Sequence, residues 1–357
     1  METPHVYVLP VSGGYFPLQL AQLTWMGPRP PAYVLGSSGG NIAAYIAAAG
    51  GWSPTGTAPV VDLLYSRLFV KSWWPFYLGY LPSVLRGYFK GSVYAANPAF
   101  YDVFQSLLTS PTAQRSLATT EFWTGTYNTT AASTQLFCSK AEGDAGLRPE
   151  PALGSLLNMS PPVYAAGDGA LLAQACFASA AVPAVFPAQV IGSSRYIDGG
   201  TSYSSPLTCL QAELRAALGD RFHMTYFSPY NIEAPSFKVC HENLFATQQP
   251  PECKPTTLVG NGIDATALVL KSLMLQDRRN GIELVGPAQD LLYREEVMDY
   301  DQFQAFQAER SQWDRSFVEV YPLSEDNLFI LSFTPDDVRR VMASVTHLGV
   351  RCWIRKP

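Results

Sequence analysis

The chain has 357 residues, of which 47% are hydrophobic and 15% charged, and its formal net charge is −5. This length allows one large or two ordinary domains with a substantial buried core. The negative charge and the lack of any Lys/Arg run argue against nucleic acid as a partner.

The N-terminus and the cysteines bear on location and metal binding. Residues 1–5 lack a positive region followed by a long apolar stretch, so no secretory signal is expected and the predicted location is intracellular, either cytoplasmic or peripheral at a membrane or lipid surface. The six cysteines show no CxxC spacing, which predicts reduced thiols. A metal site at Cys240, His241 and Cys253 would lack a fourth ligand. We therefore expect no metal and no cofactor.

The first half of the chain opens with two strand-like segments. Residues 5–9 form the first, and residues 31–35 lead into the pentapeptide GSSGG at 36–40, which the Ala-rich residues 41–49 follow as a predicted helix. Strand, tight turn and helix in this order are typical of a nucleophile elbow with Ser38 at its apex. Gly36 and Gly40 would permit the close backbone approach that such a turn needs. The pattern indicates acyl transfer, although a Gly/Ser-rich turn can also be an ordinary loop.

The most aromatic segment covers residues 68–81. Lys71, Pro75 and Gly79 interrupt it, so it does not offer the ~18 uninterrupted apolar residues that a membrane span requires. Two interpretations stay open: a lid at a water–lipid interface, or a cap helix packed on the core. The second is favoured because aromatic side chains are usually buried.

A second candidate catalytic group lies in the middle of the chain. After predicted strands at 121–127 and 134–138 and a predicted helix at 170–179, a strand ends at Asp198 and is followed by two glycines. A carboxylate at a strand end can meet a nucleophile at the same sheet edge and act as a general base. Asp-Gly is also a frequent turn signal, so the motif alone is weak.

The remaining elements alternate between helices and strands. We predict a helix at 206–218, a strand at 223–228, a surface excursion at 231–261 and a helix at 263–278 that ends before Gly281. A last strand at 328–333 and a helix reaching about His347 complete the chain. This alternation predicts an α/β fold with a mostly parallel sheet flanked by helices and catalytic turns at the strand C-termini.

Three motifs in order resemble the patatin-like phospholipase family: the GSSGG elbow, ASAAVPAVFP at 178–187, and Asp-Gly-Gly at 198–200. The resemblance implies a three-layer α/β architecture and a Ser-Asp dyad without histidine, in which Ser38 is the nucleophile and Asp198 its base. It also implies an oxyanion hole from the backbone N–H groups of Gly13, Gly14 and Tyr15. We expect residues 1–357 to form a single domain, with a variable aromatic-rich cap or insertion at about 60–165.

The chain departs from the family pattern near the oxyanion loop. The family usually has a further glycine, a basic residue and another glycine where this chain has Tyr15, Pro17 and Leu18. Proline donates no N–H and the missing cation removes positive charge, so activity could be weak. After Asp-Gly-Gly, residues 204–206 read Ser-Ser-Pro, whereas the family tends to have Asn-Pro.

The leading functional prediction is a lipid acyl hydrolase, a phospholipase A-type esterase acting on a lipid or membrane-surface substrate. One alternative is an α/β-hydrolase triad in which His223 or His347 joins Ser38 and Asp198. Another is a catalytically impaired relative that serves as a lipid-binding or structural module. The head group, the acyl position and the oligomeric state are not predicted by the sequence.

Overall fold

The computed structural model describes residues 3–26, 30–51, 105–107, 109–150, 158–183, 186–233, 258–323 and 335–355. The described strands are β1 His5–Leu9, β2 Tyr33–Ser37, β3 Glu121–Asn128, β4 Ser133–Cys138, β5 Val163–Tyr164, β6 Gln189–Ile191, β7 Ser194–Asp198, β8 Phe222–Phe227, β9 Leu291–Met298, β10 Arg315–Pro322 and β11 Leu348–Arg355. The described helices are α1 Phe16–Thr24, α2 Gly40–Ala48, α3 Pro111–Thr119, α4 Gly169–Ser179, α5 Leu207–Leu218, α6 Leu258–Val285, α7 Tyr300–Arg310 and α8 Pro335–Ser344.

These strands form one mixed sheet in the order β5-β4-β3-β2-β1-β8-β10-β11-β9. The five central strands, from β3 to β10, run parallel to one another. Antiparallel β4 flanks them on one side and antiparallel β11 on the other, followed by β9. The β6–β7 hairpin attaches to β3. The predicted α/β fold with a mostly parallel sheet is confirmed.

Helices cover both faces of the sheet. In β1, Tyr7 and Leu9 face one hydrophobic cluster and Val6 and Val8 face the other, as the two-residue period of a strand requires. The first cluster includes buried side chains from α1, α2, α4, α7 and α8, and the second includes buried side chains from α5 and α6. The architecture is therefore a three-layer sandwich with a sheet buried on both sides.

Several sequence predictions differ from the structure. The helix predicted to end before Gly281 continues to Val285, and a Cβ at Gly281 would collide with the Phe317 ring, so this glycine serves helix–sheet packing instead of a helix end. The same helix begins at Leu258, within the predicted surface excursion. β9, β10 and β11 were not predicted. Their charged residues interrupt the apolar alternation that identifies a strand.

The region expected to be a cap or insertion, residues 60–165, contains a part that the structure does not describe and a part that it does. The aromatic segment 68–81 lies outside the described residues, as does the predicted strand at 328–333. The described β3, β4 and β5 belong to the main sheet, and β3 lies directly beside β2. Of the helices in the described part of the chain, none is long and apolar enough to cross a membrane.

Candidate active site

Ser38 lies in a strained turn between β2 and α2. Its φ of +53° is in the left-handed region, which a non-glycine residue seldom adopts. The turn closes where the Asn41 N–H donates to the Ser38 carbonyl at 3.0 Å. Such backbone strain, of about 1–3 kcal/mol, persists only where the surrounding structure enforces it. The local conformation is that of a nucleophile elbow.

Close packing explains the glycines on either side of Ser38. A Cβ at Gly36 would meet Ala44 and would lie 2.8 Å from Asn41 Oδ1, both on α2. A Cβ at Gly40 would meet the Pro10 carbonyl and would lie 2.7 Å from the Leu9 carbonyl oxygen. The elbow is thus pressed against α2 on one side and the end of β1 on the other.

The sheet register brings Asp198 to this elbow. β4 pairs along one edge of β3. β2 and β7 both pair along the other edge, β2 with residues 121–125 of β3 and β7 with residues 126–128. Ser37 is opposite Gly125 in this ladder, and Asp198 is opposite the next residue, Thr126. Because β7 is antiparallel to β3, it ends where β2 ends. The last residues of the two strands therefore meet although 160 positions separate Ser38 from Asp198.

Ser38 and Asp198 form a direct hydrogen bond. Ser38 Oγ donates to Asp198 Oδ2 at 2.6 Å, and the Gly200 N–H donates to Oδ1 at 2.7 Å. The two residues are only 4% and 3% exposed. Burial raises the pKa of Asp198 to about 7, against the opposing effect of the hydrogen bonds from Ser38 and Gly200. The serine hydroxyl thus contacts a carboxyl group that titrates near neutral pH.

α4 supports the elbow through contacts that the sequence reasoning did not identify. The Ser38 N–H donates to Ser179 Oγ at 3.0 Å, and Asn41 Nδ2 donates to the Cys176 carbonyl at 3.3 Å. Ser179 lies in the ASAAVPAVFP segment, and its place in that motif is the feature of the sequence that could have indicated a role at the site. α4 therefore holds the turn at Ser38 and the start of α2 through these two hydrogen bonds.

The loop after β1 lies against the elbow. Residues Gly13–Tyr15 form a short 3₁₀ turn in which Gly13 has a φ of +50°. A Cβ at Gly39 would lie 2.8 Å from Gly13 N, so the two backbones are in contact. The Tyr15 N–H donates to the Ser12 carbonyl at 2.9 Å, so this donor is already used by a hydrogen bond inside the turn. Of the three predicted oxyanion donors, Tyr15 thus has its N–H engaged within the turn, and the prediction that Gly13 and Gly14 donate to an oxyanion stays a prediction.

Two of the positions where this chain departs from the family pattern, Pro17 and Leu18, belong to α1. Pro17 lies in the first turn of α1, where a proline is well tolerated because that N–H has no intrahelical acceptor. Leu18 is fully buried in the hydrophobic core. No cation takes the place of the basic residue at these positions.

The described histidines lie away from the dyad. His223 is the second residue of β8, pairs with His5 at the start of β1, and has Nδ1 3.0 Å from Ser316 Oγ. It is therefore at the amino end of the parallel strands, opposite the edge where Ser38 lies. His347 is exposed and precedes β11, which is four strands from β2 and so roughly 19 Å away at ~4.8 Å per strand. His241 lies outside the described residues.

Metal ligands do not cluster in the described part of the chain. No group of three or more His, Cys, Asp or Glu side chains is placed there to hold an ion. Cys138, Cys176, Cys209 and Cys352 are free thiols, and burial raises the pKa of each. These thiols are therefore uncharged at neutral pH. Cys240 and Cys253 lie outside the described residues.

The fold and the elbow define an α/β acyl hydrolase-like architecture, and comparison with known families agrees. The model of the patatin-like phospholipase family matches residues 12–210, which is more than half of the chain and includes both Ser38 and Asp198. The chain belongs to the patatin-like phospholipase family. A search of curated proteins gives no match to the chain.

Proposed function

We propose that the protein is a lipid acyl hydrolase of the phospholipase A type that uses Ser38 and Asp198 as a catalytic dyad. The observation that carries the proposal is the buried 2.6 Å hydrogen bond from Ser38 Oγ to Asp198 Oδ2. Membership of the patatin-like family supports a hydrolase acting on lipid esters. The left-handed Ser38 backbone and the start of α2 behind it add the features of an acyl-transfer site.

The reaction proceeds in two displacements. Ser38 Oγ attacks the ester carbonyl carbon while its proton passes to Asp198 Oδ2. The tetrahedral oxyanion accepts hydrogen bonds from the N–H groups of Gly13 and Gly14, with the positive end of the α2 dipole nearby. Collapse breaks the bond to the leaving alkoxide, which takes the proton from Asp198. Water then attacks the acyl-enzyme, Asp198 accepts its proton, and the proton returns to Ser38 as the fatty acid leaves.

The pKa of Asp198 suits this role. An ordinary aspartate, with a pKa near 4, is a weak base toward a serine hydroxyl. Burial raises the pKa of Asp198 to about 7, which brings it close to the operating pH while a useful fraction stays ionised. The Gly200 N–H binds Oδ1 of this carboxyl group, which leaves Oδ2 to accept the hydrogen bond from Ser38.

Hydrolysis of phosphatidylcholine vesicles and of a soluble p-nitrophenyl ester tests the proposal. Ser38→Ala removes the nucleophile and Asp198→Asn removes the base, so each should lower kcat by roughly 10³-fold or more. Ser116→Ala and Asp277→Asn are matched controls, because they alter a buried serine on α3 and a buried aspartate on α6 that do not touch the dyad. Controls should retain turnover. Turnover that survives in Ser38→Ala would overturn the proposal.

A second function has specific support in the oxyanion loop. The Tyr15 N–H is engaged by Ser12, and Pro17 can donate no N–H. Fewer donors and no cation would weaken oxyanion stabilisation, as in an impaired relative that binds lipid without cleaving it. That protein would sediment with phospholipid vesicles and release no fatty acid from them. Turnover that depends on Ser38 excludes this candidate.

A further inference from the structure

Residues 10–12, which lead into the oxyanion loop, are held by contacts from separate parts of the fold. Gln19 Nε2 donates to the Pro10 carbonyl at 3.0 Å, and the Val11 N–H donates to the Ser204 carbonyl at 2.9 Å. The Ser12 carbonyl accepts the Tyr15 N–H and, at 3.1 Å, the phenol of Tyr230. The Tyr230 contact reaches the loop from outside the family match, which ends at residue 210.

The sheet brings Tyr230 to this position. β8 is the parallel neighbour of β1, so the chain leaving β8 emerges at the same edge as the loop that follows β1. Three of the contacts that hold this exit segment are hydrogen bonds: Ser228 Oγ donates to the Tyr230 carbonyl at 2.6 Å, Gln22 Nε2 donates to the Ser228 carbonyl at 2.8 Å, and the Ser228 N–H donates to the Val320 carbonyl at 2.9 Å. The Tyr230 phenol is thus presented by an anchored backbone.

The bond to the Ser12 carbonyl has a geometric consequence for Gly13. The carbonyl of Ser12 and the N–H of Gly13 belong to one planar, trans peptide unit, in which they point in opposite directions. Whatever orients the Ser12 oxygen therefore also orients the Gly13 N–H. Gly13 would otherwise turn easily, because it has no side chain and a φ of +50°.

We infer that Tyr230 is a positioning residue for the oxyanion hole, because its phenol fixes the peptide unit whose N–H belongs to Gly13. The inference rests on the proposed function for its catalytic consequence. Tyr15 completes the arrangement: its N–H donates to the same Ser12 oxygen, and its ring packs edge-on against the Tyr230 ring with centroids 5.0 Å apart. The tyrosine that stands in place of the family's glycine thus belongs to the contact that orients the loop.

Tyr230→Phe tests the inference, since it removes the hydroxyl and keeps the ring packed on Tyr15. With a soluble p-nitrophenyl ester, kcat should fall about tenfold with KM unchanged, less than the ~10²–10³-fold loss that follows removal of an oxyanion donor. Tyr293→Phe is the control, because it also removes a hydroxyl bonded to an acceptor, Glu295, but on the exposed edge strand β9. It should leave kcat unchanged.

Hydrogen exchange provides a readout that needs no turnover. In Tyr230→Phe the amides of the peptide covering residues 11–18 should exchange several-fold faster than in the wild type and in Tyr293→Phe. An active enzyme whose kcat is the same in Tyr230→Phe overturns the inference. If the wild type has no turnover that depends on Ser38, the proposed function is wrong, but hydrogen exchange still tests the Tyr230 contact. Unchanged exchange in Tyr230→Phe would then show that Tyr230 does not hold the loop.

Discussion

Two buried aspartates show how position decides what a carboxyl group does. Burial raises the pKa of both Asp198 and Asp277 to about 7. Asp277 lies on α6 and accepts a hydrogen bond from Thr208 Oγ1 at 2.6 Å, which ties α5 to α6. Asp198 accepts one from Ser38. A perturbed pKa thus identifies a candidate, and the hydrogen bond with Ser38 is the observation that supports the role proposed for Asp198.

The pKa of Asp198 predicts how activity depends on pH. Asp198 must be ionised to accept the serine proton, so kcat/KM should fall as pH drops through about 7, approaching tenfold per unit below it. A pH–rate profile from pH 5 to 9 measures this. Asp277→Asn should keep the midpoint, although it removes a second group that titrates near 7. A midpoint near 4, typical of an unperturbed aspartate, would contradict the assignment.

At the scale of the element, the elbow depends on backbone contacts that allow no side chain. Gly40 starts α2 directly against the carbonyls of Pro10 and Leu9 at the end of β1. These atoms cannot move aside as a flexible side chain would. The same contact links α2, which follows Ser38, to the strand that leads into the loop proposed as the oxyanion hole.

Gly40→Ala should therefore damage stability and catalysis together. Overpacking costs about 1–3 kcal/mol, and a backbone obstacle places this substitution at about 3 kcal/mol. Urea denaturation measures the loss, and ester hydrolysis should fall at least tenfold in the protein that still folds. Gly143→Ala is the control, because no heavy atom lies within 4 Å of the added Cβ. Equal stability of the two variants would show that the backbone around Gly40 has room for a methyl group.

The sequence predicted the local elements of the site better than their assembly. The strand, turn and helix around Ser38 follow from neighbouring residues, because glycine and a helix-forming run act locally. The meeting of Ser38 with Asp198 depends on β2 and β7 sharing one side of β3, a register that no local pattern encodes. That pairing was predicted from family resemblance. Tyr230 was missed because an isolated tyrosine after a strand gives no signal.

At the scale of the whole molecule, a buried ionic network joins the outer strands to the core. Glu319 on β10 is fully buried, 3.5 Å from Arg278 on α6 and 3.4 Å from Arg351 on β11. Arg351 also lies 3.0 Å from Glu295 on β9. Burying one of these charges without its partner would cost several kcal/mol, so removal of any single member should destabilise the fold.

The same network explains why the C-terminal half was hard to predict. β9 reads LLYREEVM, and β10 places Glu319 among apolar residues, so neither has the simple alternation expected of a strand. Glu295 and Glu319 pair with Arg351 on β11, and Glu319 also pairs with Arg278 on α6, contacts that are visible only after folding. Of the five central parallel strands, β1, β2, β3 and β8 are predictable because they are rich in apolar and aromatic residues, whereas β10 is not.

Covalent labelling with a fluorophosphonate is the sharpest test of whether Ser38 is an activated nucleophile, because the reagent reacts with an activated serine whatever the natural substrate is. We expect a single adduct whose mass maps to the peptide containing Ser38, absent in Ser38→Ala and formed far more slowly in Asp198→Asn, while Asp277→Asn labels at the wild-type rate. An adduct on another serine, or equal labelling of the wild type and Ser38→Ala, would contradict it.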